Sequence, residues 1–263
     1  MKVSLSLTWR GVCSSAYCDD VVTKTLTPAQ RRSAAWRSTV ALKASMAVSG
    51  VIMLVYLLVH MYGNLKFFQG QDSFDGYLHG LRDMFYPYLP HDGVLWIMRV
   101  VLLAAVLVHI YAAVTLWRRA RSSSARTGGG QRYQSTKNRR GVQRTYASFT
   151  MRWGGVVLAL FIIAHVLQML PNYISPGGAS DSKYERVVNG FELWWVVLPY
   201  TIALLAVGFH LRHGFWSALA TLGANTHPAR RRRFNIYATV LALVITGGFL
   251  TVPFAVFFFG AGS

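Results

Sequence analysis

Five apolar runs, near residues 41–63, 94–117, 149–171, 193–216 and 234–259, constrain this chain more than any other feature. Each is close to the roughly 20 residues a helix needs to cross a bilayer. Between them the chain is polar, basic or rich in glycine and proline. Backbone polar groups in hydrocarbon must bond within their own segment, so the predicted fold is all-α, a polytopic membrane protein with five transmembrane helices in one bundle. A soluble helical bundle is the lesser alternative. Residues 1–40 read as an N-terminal segment and residues 41–263 as the membrane domain. The stretch LSLTWRGVCSSAY has no continuous apolar core before Asp19 and Asp20, so a cleavable signal peptide is not expected there.

Charge placement predicts the orientation. The formal net charge is +18, which raises nucleic acid as a partner, but the basic residues gather at alternate ends of the spans rather than along one face. One side collects 22 Lys and Arg, and the other has four, Lys66, Arg82, Lys183 and Arg186. The positive-inside tendency then puts the N-terminus in the cytoplasm and the C-terminus outside, and removes nucleic acid as the explanation. The basic loop around RTGGGQRY lacks the spacing and lysine of a phosphate loop, and suits anionic lipid or an acidic soluble partner instead.

Four of the five runs carry an internal histidine: His60, His109, His165 and His210. A polar ring in hydrocarbon is costly unless something bonds to it. At 1.5 Å per residue, His60 and His165 each lie roughly 24 Å above the inner end of their spans. His109 and His210 lie only about 12 Å above theirs. A lone buried histidine is usually a hydrogen-bonded structural residue, but four at two matched depths predict two bis-histidine haem b groups. His60 and His165 would hold the outer iron, and His109 and His210 the inner. Arg99, within the second span, and Arg152, at the base of the third, are candidate partners for haem carboxylates. For Arg99, snorkelling to the headgroups is the plainer reading.

Other candidates lie outside the spans. The aromatic outer stretch from Leu65 to about Asp92 reads as an interfacial helix followed by a turn, with a setting suited to a quinone. His79 and Asp83, four residues apart, would form a proton-handling pair on that helix, although a salt-linked interfacial helix explains them equally well. The second outer loop, PNYISPGGASDSKYER, reads as a short polar connection. Cys13 and Cys18, the only cysteines, are read as ordinary small residues; the alternative is two thiolate ligands of an iron-sulfur cluster completed by histidines.

With HMYGNLKFF around His60, LVHIY around His109, IIAHV around His165 and VGFHLRHG around His210, the chain resembles the single-polypeptide, five-helix, dihaem cytochrome b anchor of succinate dehydrogenase and menaquinol:fumarate reductase. The resemblance covers roughly residues 35–259. It implies a multi-pass subunit of a bacterial cytoplasmic membrane that binds an iron-sulfur subunit and a flavoprotein with FAD, and passes electrons to menaquinone. Direction, quinone identity and assembly into a higher oligomer stay open. Some family members carry a glutamate two residues before the fourth-span histidine, where this chain has Gly208. Two other readings are an anchor of the hydrogenase or formate dehydrogenase type and a transporter with proton-relaying histidines.

Overall fold

A computed structural model describes residues 38–126, 141–170, 173–224 and 227–262, the side chains of 121–150 excepted. In chain order the helices are α1 (Thr39–Leu65), α2 (Gln71–Arg82), α3 (Gly93–Arg126), α4 (Gly141–Met169), α5 (Lys183–Phe191), α6 (Trp194–Thr221) and α7 (Pro228–Phe259). A single 3-10 turn, Lys66–Gln69, joins α1 to α2. Five stretches are long and apolar enough to cross a membrane: Thr39–Gln69, Gly93–Ala120, Met151–Met169, Trp194–Thr221 and Pro228–Phe259. The chain is a multi-pass membrane protein with five candidate spans, and each predicted span overlaps one of these helices. The expected interfacial helix is α2. The expected polar connection instead contains a helix, α5.

Large apolar side chains point away from the bundle: Val100, Leu103, Leu160 and Leu243 are each more than 60% exposed. In water such exposure would be unfavourable, but in a bilayer these surfaces meet lipid tails. Helices in lipid therefore gain little from hiding apolar area and associate where small residues let backbones approach. The buried positions fit that rule, with Ala105, Ala112, Ala203, Ala238 and Ala242 all enclosed. The closest contacts between spans are those of α6, which packs against α4 on one side and α7 on the other. Exposed tryptophans mark both ends, Trp96, Trp194 and Trp195 at one and Trp117 and Trp153 at the other, as an interfacial belt requires.

The two ends differ. At one end, α2, α5 and the 3-10 turn close over the tips of α6 and α7, burying Phe67, Phe74, Val187, Val188, Phe191, Val196, Val197, Val252 and Val256 together. We call this the capped end. Tyr184 of α5 stacks on Phe67 at 4.7 Å, fastening the short helix to the turn after α1. At the other, basic end lie Arg118, Arg119, Arg152, Arg212 and the run Arg230, Arg231, Arg232 and Arg233. There, His227 caps α7 by accepting from the Ala229 N–H, and Pro228 occupies the first helical turn, where no intrahelical donor is needed.

Gly208 explains how α6 and α7 come so close. A Cβ built on it would lie 2.5 Å from Thr246 Oγ1 of α7, so only a hydrogen fits. Replacing it by alanine would add about 0.5–1 kcal/mol of helix propensity. Overpacking costs more, about 1–3 kcal/mol. Gly208→Ala is therefore expected to lower the thermal midpoint in detergent. Adding Thr246→Ala should recover most of that loss, because the two side chains compete for one space.

Candidate haem-binding site

The four intramembrane histidines meet in two pairs across the bundle. Near the capped end, His60 of α1 faces His165 of α4, with ring centres 5.9 Å apart and planes inclined at 75°. Each is backed by an aromatic ring one turn earlier on its own helix. Tyr56 stacks on His60 at 5.2 Å and Phe161 on His165 at 5.6 Å. From α7, Phe249 closes on His60 at 5.6 Å, so the helix without a histidine still shapes this level. Asn64 donates from Nδ2 to the His60 carbonyl at 2.8 Å and serves its own helix rather than the imidazole.

His165 is held by a short relay. Its Nδ1 lies 3.1 Å from the Tyr200 hydroxyl of α6, which donates its proton to Gln168 Oε1 at 2.8 Å. A hydroxyl has one proton, and here Gln168 takes it, so Tyr200 accepts from His165 Nδ1–H. This tautomer leaves the Nε2 lone pair of His165 unprotonated. Tyr200 is itself clamped edge-on by Phe161 of α4 and Phe191 of α5, each 4.9 Å away.

Nearer the basic end, His109 of α3 faces His210 of α6 with ring centres 6.0 Å apart and planes at 57°. His109 Nδ1 lies 3.1 Å from the Met46 carbonyl and 3.2 Å from Ser49 Oγ, both on α1. A carbonyl only accepts, so the proton sits on Nδ1 and Nε2 is again unprotonated. Gly50 lies flat against this ring, where a Cβ would rest 3.6 Å from His109 Cε1. His210 is different. Its Nδ1 is buried with no hydrogen-bond partner among the described residues, as is Thr246 Oγ1.

The donor set suits a metal carried by a macrocycle. Two imidazoles on opposite sides of one metal, at bonds of about 2 Å, have ring centres roughly 6 Å apart. Both pairs have that separation. Among the described residues no three His, Cys, Asp or Glu side chains cluster as a protein-only metal site would need. Axial ligation of haem needs only two.

The remaining candidates are distributed differently. His79 is exposed on α2 and does not pair with Asp83. Asp83 has left the helix as its C-cap and binds His91 instead, Oδ1 to Nδ1 at 2.7 Å, with Tyr86 stacked on the imidazole at 4.6 Å. Arg99 lies over the Trp96 ring at 5.1 Å. Arg152 is exposed at the basic end, and His213 is likewise exposed. Cys13 and Cys18 lie outside the described residues. Sequence reasoning missed Ser49, Gln168 and Tyr200. The signal available was their polarity inside apolar runs, with Gln168 one turn beyond His165.

The capped end holds this geometry together. Ser182 Oγ accepts from the Glu185 N–H as the N-cap of α5 and donates to Asp75 Oδ2 of α2 at 2.7 Å. Lys183 Nζ donates to the Met169 carbonyl at 2.6 Å, and Arg186 donates to the same carbonyl at 3.4 Å, satisfying the end of α4 with positive charge. Burial, then the nearby Arg186, Arg82 and Arg99, holds the Lys183 ammonium below its ordinary pKa.

Four histidines on four of the five candidate spans thus pair across the bundle. Residues 131–248 match the family model of the succinate dehydrogenase/fumarate reductase transmembrane subunit. The matched stretch holds His165 and His210, with His60 and His109 upstream of it. No curated protein and no solved structure matches the chain. As a check on the capped end, Ser182→Ala should cost about 1–2 kcal/mol by removing a cap and the Asp75 link together. Proteolysis within 173–193 in detergent should quicken correspondingly.

Proposed function

We propose that this chain anchors the soluble subunits of a succinate:quinone oxidoreductase and conducts electrons through two b haems to menaquinone. The observation that carries the reading is the pair of cross-helix histidine contacts, at 5.9 and 6.0 Å, in a chain whose residues 131–248 match the family model of this membrane subunit. His60 with His165 would hold one iron, and His109 with His210 the other. Haem, when bound, supplies a one-electron couple at each level, while the protein provides ligation and spacing. His109 and His165 contribute Nε2 as ligand atom because their Nδ1 protons are committed to Met46 and Tyr200.

Orientation follows from charge. The basic end, where most Lys and Arg gather, is cytoplasmic and the capped end is outside. The N-terminal segment, residues 1–40, then lies in the cytoplasm with the basic loops, which suit an acidic face of an iron-sulfur subunit that is itself bound to the FAD flavoprotein. The inner pair, His109 with His210, is the nearer station for electrons arriving there. Quinone chemistry belongs at the outer level, where Asp83 and His91, rather than Asp83 and His79, form the proton-handling pair beside Tyr86. The same construction runs in reverse as a fumarate reductase.

Reduced-minus-oxidised spectra of membranes bearing the chain should show two b-type components. His165→Ala should remove one and His109→Ala the other, with the iron-sulfur subunit copurifying in both cases. Spectra without b-type absorption would exclude haem transport. Both histidine variants retaining full haem content would exclude this ligand assignment.

A further inference from the structure

Among the described residues, the relay behind His165 is the one that runs through two side chains, a phenol and an amide. His165 Nδ1–H donates to Tyr200 OH, and Tyr200 donates to Gln168 Oε1. Gln168 is 7% exposed although it lies near the end of α4, so its amide is a buried polar group placed against one phenol. Gly190 of α5 makes room for it, since a Cβ there would come within 3.2 Å of Gln168 Nε2. Phe161 and Phe191 fix the phenol ring edge-on from opposite elements. His109 Nδ1–H is instead shared between the Met46 carbonyl and Ser49 Oγ, whose own proton goes to backbone carbonyls of its helix, and His210 Nδ1 has no partner among the described residues.

A hydrogen bond donated from Nδ1 moves electron density toward Nε2 and makes the imidazole a stronger ligand. The effect grows when the acceptor is itself polarised by donating onward, because successive hydrogen bonds in a low-dielectric interior strengthen one another. Stronger donation stabilises the more positive, oxidised metal. We infer that Tyr200, oriented by Gln168, is a positioning residue that lowers the reduction potential of the haem held by His60 and His165. The inference rests on the haem reading proposed above and adds to it a residue that sets the poise of one level and not the other. Phe191, carried by α5, makes the capped end part of that setting, because it holds the phenol in line with Nδ1.

The test is a redox titration of the b-type absorbance in membranes carrying the assembled complex, with low-spin electron paramagnetic resonance on the same samples. His165→Ala first identifies which component belongs to this level. Tyr200→Phe should keep both haems, move that component to a more positive potential and leave the other in place. Gln168→Leu should shift it the same way by less, since the phenol remains but loses its onward acceptor. A Tyr200→Phe protein with the His165 component unshifted, or with both components shifted alike, overturns the inference while leaving the ligand assignment intact. Should Tyr200→Phe lose the component, Gln168→Leu decides in its place, and an unshifted potential there overturns the inference. If His165→Ala removes neither component, the ligand assignment fails and the inference with it.

Discussion

An imidazole inside hydrocarbon must find partners for its nitrogens, and much of this structure is arranged around that demand. His109 meets it through a carbonyl and a serine of α1, which fixes how α1 and α3 face each other. His165 meets it through Tyr200, which fixes α4 against α6. In both cases the Nδ1 proton goes to the protein and Nε2 is left unprotonated. Because lipid gives apolar helices little reason to associate, polar contacts of this kind, together with small buried residues, do much of the work that a hydrophobic core does in water.

The capped end is the exception. There α2 and α5 lie outside the spans and bury a conventional apolar cluster around Phe67, Phe74 and Phe191. Its position matters to the histidines below. Phe191 belongs both to that cluster and to the clamp on Tyr200, so the packing of a nine-residue helix reaches the imidazole of His165 through one aromatic contact.

The spans and the histidine pairing were legible in the sequence because both depend on quantities that run along a single helix. Apolar length gives the span, and counting residues from a basic end gives depth. What was not legible depends on rotation between helices. Tyr200 and His165 are 35 residues apart, and nothing in their spacing shows that α6 turns its phenol toward α4. The His79 and Asp83 pairing assumed a helix continuing through both, yet α2 ends at Arg82 and frees the carboxylate to reach His91. Helix α5 escaped notice because its apolar residues, Val187, Val188 and Phe191, are few and stand among charged and polar neighbours behind a glycine-rich turn. Gly208 was visible as a departure from the family pattern, but its reason, the hydroxyl of Thr246 pressed against it, belongs to the packing of α7.

Tyr200 and His210 sit on the same helix, ten residues apart, which corresponds to about 15 Å along its axis. The proline of α6 falls at residue 199, just outside that interval, so the helix between them is unbroken by proline. One stiff rod therefore serves both levels, as the mount for a ligand at one and for the ligand's support at the other. Rocking α6 in the bilayer raises or lowers the two together. The gap between them is thereby set like the marks on a ruler, and it does not depend on how tightly the outer helices are held.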